Sequence, residues 1–305
     1  MSRVLVTGGR GQLGHDLERR WPERHPGDEL LPLSHHELDV TDAEAVRRLI
    51  LAQQPSIVIN LAAYHVVDEV EGNPAKAFAV NAIGPRNVAL ACKEAGAIMV
   101  HLSTDYVFTD SSNHRPHVED EPVNPPNVYG VSKAAGEMMI GPSWPSHFIV
   151  RGSGLYGVAG SSGKGGNFVE TMLKLAEQGK PIKVVADQVL TPTSTWFLAD
   201  QIALLVTTEA YGTYHATCQG ECSWYQFAAE IFRQSGLDPE LGPTTSAERI
   251  TPARRPPYSV LENRNLQRQG IDVMPHWKEA LRHYLHERSA QAPTPTLPQR
   301  GRAIE

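Results

Sequence analysis

The sequence predicts an α/β protein in which a doubly wound parallel sheet is followed by a smaller C-terminal lobe. Short β-branched segments alternate with helical patterns through the first 151 residues, which is typical of a parallel sheet covered by helices. A glycine-rich turn joins the first strand to the first helix, and the alternation weakens after Arg151. A chain of 305 residues is long enough for a main domain and a second lobe.

The individual elements follow from periodicity and from their end signals. Leu13, Leu17 and Trp21 recur on one face of the first helix, and Thr41-Asp42 caps the second helix. The predicted strands are 3–7, 29–33, 56–61, 98–103 and 147–151, and the helices between them are 12–21, 42–53, 74–95 and 128–140. Beyond Arg151 we predict helices at 168–178, 196–208, 224–234 and 277–287, and a strand near 183–186.

Composition and charge exclude several classes of protein. The chain is 41% hydrophobic and 20% charged, with a formal net charge of −6, so nucleic-acid binding is not expected. No apolar run reaches the roughly 20 residues that span a bilayer, and the N-terminus has no signal-peptide pattern. Cys92, Cys218 and Cys222 are expected to be reduced and buried. We therefore expect a cytoplasmic protein that binds neither nucleic acid nor membranes.

The glycine turn predicts a dinucleotide site. Gly8, Gly11 and Gly14 follow a strand and open a helix, where a tight turn, close backbone approach and free helical N–H groups suit a pyrophosphate. Small or polar residues end the neighbouring strands at the same sheet edge, where adenine and ribose should lie. The predicted cofactor-binding residues are Gly8, Arg10, Gly11, Gln12, Leu13, Gly14, His35, Asp39, Val40, Leu61, Ala62, Ala63, Tyr64 and Lys133.

The end of the second strand favours NADPH over NADH. A carboxylate there would bind the ribose 2′-hydroxyl and repel a 2′-phosphate, but the segment from Pro32 to His36 contains none. Arg10 and His35 can neutralise a phosphate, although a solvated loop explains the histidines equally well. NADH stays open as the alternative.

These observations divide the chain into domains. Residues 1–151 form the dinucleotide-binding, Rossmann-like domain, completed by segments near 183–209, and residues 152–288 form mainly the substrate lobe. The segment 289–305 is rich in proline and poor in apolar residues, which predicts a disordered tail.

Tyr129 and Lys133 are the candidate proton-delivery pair. They lie four residues apart, on one face of a predicted helix, and an ammonium near a phenol favours the phenolate. The spacing alone arises readily by chance. The position of Ser103 and Thr104 supports the assignment. They end the fourth strand at the cofactor edge of the sheet, where a hydroxyl can polarise a substrate carbonyl. The predicted catalytic residues are therefore Thr104, Tyr129 and Lys133.

At this point the chain resembles the extended short-chain dehydrogenase/reductase family, and most closely its dTDP-4-dehydrorhamnose reductase branch. The resemblance rests on short motifs from Arg3 to about Glu287. They include TGGRGQLG (7–14), NLAAYHVVD (60–68), STDYVF (103–108) and YGVSKAAGE (129–137), and in the second half Asn167-Phe168-Val169, Arg255-Pro256 and Ser259-Val260-Leu261.

The resemblance implies reduction of the C4 ketone of a nucleotide-linked 6-deoxyhexose. The hydride would come from NADPH or NADH and the proton from Tyr129, with Thr104 on the carbonyl. The residues it assigns to substrate binding are Ser103, Asp105, Tyr106, Arg151 and Asn167. Related dehydratases carry a glutamate where this chain has Tyr106, which argues against dehydration. The family also allows a homodimer.

Three departures qualify the resemblance. The reductases typically carry a tryptophan three residues after the arginine that ends the fifth strand, and this chain has Gly154 there. The glycine-rich insert from Gly160 to Gly166 is longer than expected. Some members use magnesium, but the acidic residue expected early in the first helix occurs only as Asp16, so no metal site is predicted.

Two other functions fit the same residues. A nucleotide-sugar epimerase would retain its cofactor through each turnover. A non-catalytic regulatory subunit, of the type that accompanies methionine adenosyltransferase, would use the fold as a binding module. The presence of Thr104, Tyr129 and Lys133 favours an enzyme.

Overall fold

The computed structural model describes residues 2–109, 114–159 and 166–291. The glycine-rich insert, apart from Gly166, lies outside these residues. So does most of the predicted tail, but its first three residues are helical, since the last helix continues to Gln291.

Six parallel strands form the main sheet, in the order β10-β5-β4-β3-β1-β2. Their bounds are Arg3–Thr7 (β1), Glu29–Leu33 (β2), Ile57–Asn60 (β3), Ile98–Thr104 (β4), His147–Gly152 (β5) and Gly212–His215 (β10). The chain passes from β1 to β2 on one side and then to β3 on the other side of β1. This reversal creates the crevice in which such sheets bind ligands, and the predicted doubly wound fold is confirmed.

Helices cover both faces of the sheet, as the two-residue period of the strands requires. Val4 and Val6 of β1 belong to one buried cluster, while Leu5 between them belongs to the other. The helices of the sheet domain are Gln12–Arg24 (α1), Ala43–Gln53 (α2), Val67–Glu71 (α3), Pro74–Phe78 (α4), Gly84–Ala95 (α5) and Val128–Ser143 (α6). The three cysteines are buried and free.

The predicted single helix 74–95 is wrong in its middle. A π-helical turn, Ala79–Ile83, separates α4 from α5. Pro85 has no N–H to donate to the carbonyl of Asn81 four residues earlier, so the regular bond cannot form there. Gly136 of α6 packs closely against this turn. A Cβ on Gly136 would lie only 2.2 Å from the Asn81 carbonyl oxygen.

The second half of the chain supplies the lobe and also part of the sheet domain. Its elements are β6 (Leu155–Tyr156), α7 (Phe168–Glu177), β7 (Ile182–Val185), β8 (Val189–Leu190), β9 (Thr193–Ser194), α8 (Thr195–Leu205), β11 (Cys222–Ser223), α9 (Trp224–Ser235), β12 (Leu241–Thr244), α10 (Arg264–Arg268) and α11 (Trp277–Gln291). The segment 183–209 was assigned to the nucleotide domain. Its helix α8 packs on α1, but its strand β7 pairs with β12. The sixth strand of the sheet is instead β10, which the sequence analysis did not predict.

None of the helices in the three described segments is long and apolar enough to cross a membrane.

Candidate active site

A cavity of about 870 Å³ lies beyond the carboxyl ends of β1, β3 and β4 and reaches into the lobe. Residues from both halves of the chain line it. Among them are Gly8, Arg10, Gly11, Gln12, Leu13, Gly14, His35, Asp39, Val40, Leu61, Ala62, Ala63, Tyr64, Ser103, Thr104, Asp105, Tyr106, Tyr129, Lys133 and Asn167. The structure therefore brings together every predicted site residue except Arg151.

The glycine turn forms one end of the cavity and fits a dinucleotide pyrophosphate. Gly8 has a φ of +66°, and a Cβ on it would lie 2.8 Å from the backbone nitrogen of Ala62. Gly11 is the N-cap of α1, and no side chain caps this helix. The first-turn N–H groups are thus available to an anion.

The segment that follows β2 lines the side of the cavity where adenine is predicted to bind. The carboxylate of Asp39 accepts hydrogen bonds from the backbone nitrogen and the hydroxyl of Thr41, at 2.9 and 2.8 Å, and these bonds lower its pKa. Arg10 is largely exposed and lies 3.8 Å from Glu18, a weak surface pair. Its guanidinium remains able to meet a phosphate.

A buried amide fixes the loop after β3. Asn81 accepts a hydrogen bond from the Tyr64 nitrogen at 2.8 Å and donates to the Tyr64 carbonyl at 2.9 Å and to Ser132 at 3.0 Å. This loop, with Ala62 and Ala63, is thereby tied to α6, which carries the candidate proton-delivery pair. The sequence analysis assigned no role to Asn81.

Tyr129 and Thr104 face each other inside the cavity. Asn127 caps α6 by accepting a bond from the Gly130 nitrogen at 2.8 Å, which places Tyr129 in the first turn. The Tyr129 hydroxyl lies next to Thr104, and burial raises the pKa of the phenol. A raised pKa keeps the phenol protonated at neutral pH, as a proton donor must be.

Lys133 lies one turn further along α6 and is fully buried. Its ammonium donates to the Leu102 carbonyl at 2.6 Å and lies 3.2 Å from His101 Nε2. Burial lowers its pKa to about 8. The sequence argument expected Lys133 to lower the pKa of Tyr129. In this structure burial dominates that pKa and raises it, while Lys133 bonds to β4.

Asp105 organises the substrate end without presenting a free carboxylate. It accepts hydrogen bonds from Thr104 at 3.0 Å, Ser153 at 2.8 Å and Ser259 at 2.7 Å. These residues come from the ends of β4 and β5 and from the lobe, so one buried group joins three segments. Burial raises the pKa of Asp105.

Ser103 and Tyr106 flank this cluster. The Ser103 hydroxyl is buried and has no hydrogen-bond partner within the described part of the chain, which leaves it available to a substrate oxygen. The ring of Tyr106 meets Tyr129 edge-on at 5.8 Å. Arg255 pairs with Asp68 at 2.8 Å.

Two of the residues assigned to substrate binding are used for structure. Arg151 was expected in the substrate site, but it is buried in an ion pair with Glu137 at 2.6 Å and lies 3.3 Å from His215 Nε2. Such a pair has little capacity left for a substrate. Asn167 lines the cavity, yet its amide caps α7 and donates to the Gly157 carbonyl at 2.9 Å.

Gly154 has a φ of +53°, and a Cβ on it would lie 2.7 Å from Leu190 Cδ1. Leu190 therefore occupies the space that the side chain of the expected tryptophan would need next to position 154. Trp224 and Phe168, with ring centroids 4.5 Å apart, also line the cavity. Sequence reasoning missed Leu190 and Trp224 because no local motif marks them.

Asp16 is bonded to neighbouring side chains. Its carboxylate accepts a hydrogen bond from Thr195 at 2.5 Å and lies 3.6 Å from Arg19. Within the described ranges, no group of three or more acidic, histidine or cysteine side chains is placed to hold a metal ion.

Comparison with known proteins agrees with this geometry. Residues 2–290 match the family described as RmlD substrate binding domain. The chain belongs to this family. It is 42% identical over 290 residues to spore coat polysaccharide biosynthesis protein SpsK of Bacillus subtilis, covering 95% of this chain and 99% of that protein.

Two solved structures resemble the chain closely. One is a dTDP-4-dehydrorhamnose reductase from Clostridium acetobutylicum, with a TM-score of 0.88 and 41% identity over 93% of this chain and 99% of that one. The other is a dTDP-4-dehydrorhamnose reductase from Bacillus anthracis in complex with NADP, with a TM-score of 0.88 and 38% identity over 94% and 100% of the two chains.

Proposed function

We propose that this protein is an NADPH-dependent reductase of a 4-keto-6-deoxy nucleotide sugar, as in dTDP-4-dehydrorhamnose reduction. The observation that carries the proposal is that Thr104, Tyr129 and Lys133 line one cavity with the uncapped N-terminus of α1. The relatives at 38–41% identity are reductases of this class, and one of them holds NADP.

The residues of the chain divide the work of ketone reduction. Bound NADPH supplies the hydride. The Tyr129 hydroxyl gives its proton to the ketone oxygen as the carbonyl carbon is reduced. The resulting phenolate is stabilised by the positive charge of Lys133. Thr104 donates its hydroxyl proton to Asp105 in this structure, and it holds the ketone oxygen once that hydroxyl turns toward the substrate. The sugar product carries a hydroxyl group at C4.

We assign the glycine turn with Arg10, His35, Asp39, Val40 and residues 61–64 to the cofactor, and Ser103, Asp105 and Tyr106 to the sugar end. Ser103 contributes a free hydroxyl, whereas Asp105 acts by holding Thr104. Residues 1–151 with α8 and β10 form the cofactor domain in this assignment, and the remainder forms the substrate lobe.

The enzyme is further proposed to be a cytoplasmic homodimer. The three buried free thiols suit a reducing compartment. Val131 and Met138, which recur on α6, are exposed apolar side chains that a second copy would cover. Sedimentation equilibrium of the full chain tests the dimer, and a monomer at micromolar concentration would exclude it.

The activity is tested by NADPH oxidation at 340 nm against a panel of 4-keto nucleotide sugars. Activity with a dTDP-linked 4-keto-6-deoxyhexose, and a product with a new C4 hydroxyl, are expected. NAD retained stoichiometrically after gel filtration, with no net NADPH consumption, would indicate the epimerase. A stable hetero-oligomer and no turnover would indicate the regulatory subunit.

A further inference from the structure

A row of buried polar side chains runs from the glycine turn to Lys133 beneath the cavity. Thr7, Asn60 and His101 are paired across the three neighbouring strands β1, β3 and β4. The Thr7 hydroxyl lies 2.6 Å from Asn60 Oδ1, Asn60 Nδ2 lies 3.0 Å from His101 Nδ1, and His101 Nε2 lies 3.2 Å from Lys133 Nζ. All four side chains are essentially inaccessible to solvent.

The hydrogen-bond capacity of these groups restricts how they can be arranged. An ammonium has three donors and no acceptor, and a neutral imidazole has one donor and one acceptor. If Lys133 is charged, His101 Nε2 must accept, so the ring proton is on Nδ1 and donates to the oxygen of the Asn60 amide. That amide, whose two ends are nearly isosteric, then donates from Nδ2 to the Thr7 hydroxyl oxygen.

The opposite arrangement fits only an uncharged lysine. With Nδ2 of Asn60 directed at the ring, Nδ1 accepts and Nε2 carries the proton. That N–H can donate a hydrogen bond to Lys133 only if Lys133 is a neutral amine, because an ammonium has no lone pair. The direction of the row and the charge of Lys133 are therefore coupled.

We propose that His101, oriented by Asn60 and Thr7, is a positioning residue that holds Lys133 in its charged form beside Tyr129. The proposal rests on the proposed reductase function. Other titratable groups near the row are Glu137, one turn beyond Lys133 on α6, which favours the ammonium, and His147 on β5, which acts on His101. Burial keeps His101 neutral, since it holds the pKa of the ring well below its usual range.

The first test is the pH profile of kcat/KM for NADPH-dependent ketone reduction. In His101→Leu the alkaline limb should move to lower pH by about one unit, because a hydrogen bond to a charged group is lost. His101→Gln, whose amide oxygen can accept, should restore most of the shift. A uniform loss of rate with an unmoved alkaline limb would reduce His101 to a packing role and overturn the proposal.

Thr7 gives a milder pair of variants if His101→Leu fails to fold. Thr7→Val removes the hydroxyl at nearly constant volume, and Thr7→Ser keeps it. Thr7→Val should shift the alkaline limb in the same direction as His101→Leu but less, and Thr7→Ser should match the wild type. Equal profiles for both Thr7 variants would contradict a connected row.

A second test does not depend on activity. In protein labelled with ¹⁵N-histidine, the His101 signal, assigned by its loss in His101→Gln, should show the proton on Nδ1 near pH 7. A proton on Nε2 would overturn the proposal even if the reductase activity is found. The Nδ1 form in a protein without reductase activity would instead locate the failure in the proposed function.

Discussion

The two ends of the cavity differ in whether backbone or side-chain atoms form their contacts. At the cofactor end the contacts come from backbone, and Gly8 and Gly14 leave no room for a Cβ. At the catalytic end they come from buried side chains, and Asp105 and Lys133 each bond to partners on other segments. We therefore expect the cofactor end to be disrupted by substitutions that add atoms, and the catalytic end by substitutions that remove a hydrogen-bond or ion-pair partner.

The largest effect on stability is expected for the buried ion pair between Glu137 and Arg151, which joins α6 to β5 next to the catalytic end. Glu137→Leu leaves the buried Arg151 guanidinium without its carboxylate and should lower the free energy of unfolding by about 3–5 kcal/mol. The matched control is Glu94→Leu, which breaks the exposed pair with Arg47 and should cost under about 1 kcal/mol. Urea unfolding measures both, and equal losses would contradict the distinction between buried and exposed pairs.

At the cofactor end, Gly14→Ala should have the next largest effect. Its Cβ would lie 2.0 Å from the Gly9 carbonyl oxygen, and relieving that overlap should cost about 1–3 kcal/mol and weaken NADPH binding. Helix propensity alone predicts the opposite, since alanine is the better helix former. Gly11→Ala is the control, because its Cβ would lie 3.4 Å from the Gly8 oxygen.

Both glycine variants are measured by NADPH fluorescence titration and urea unfolding. A free energy of unfolding of Gly14→Ala equal to that of Gly11→Ala would show that the backbone of the turn can shift. The cofactor end would then not depend on the absence of a Cβ.

The smallest effect is a pH dependence at Asp105. Because burial raises its folded pKa above the unfolded value, this carboxyl favours the folded state at low pH. That contribution is lost as pH rises from about 4 through the raised folded pKa. Asp105→Asn should lack this loss, so its stability relative to the wild type should increase over that range. A stability difference that does not change with pH would contradict a raised pKa.

Local patterns were sufficient to predict most of the cofactor end. Gly8, Gly11 and Gly14 lie within seven residues, and their strand and helix are defined by short-range periodicity. The π-helical turn before Pro85 escaped prediction because the same apolar period runs through it. Strand β10 escaped because its four residues show no alternation that marks a strand.

The catalytic end could be predicted only in part. Tyr129 and Lys133 share one helix, so their spacing is visible in the sequence. The partners of Arg151 and Lys133 lie on other elements, and His101 is 32 residues from Lys133. No local signal connects them, and Arg151 was therefore assigned to the substrate instead of to Glu137.

The central claim is that Tyr129 delivers the proton that completes ketone reduction. The most direct measurement is the rate of NADPH oxidation by Tyr129→Phe beside Tyr106→Phe, each saturated with a 4-keto-6-deoxy nucleotide sugar. Loss of a general acid should reduce kcat of Tyr129→Phe by about 10²–10⁴-fold, with NADPH affinity unchanged. Tyr106→Phe should retain much more activity. A Tyr129→Phe variant that reduces the sugar at the wild-type rate would contradict the account.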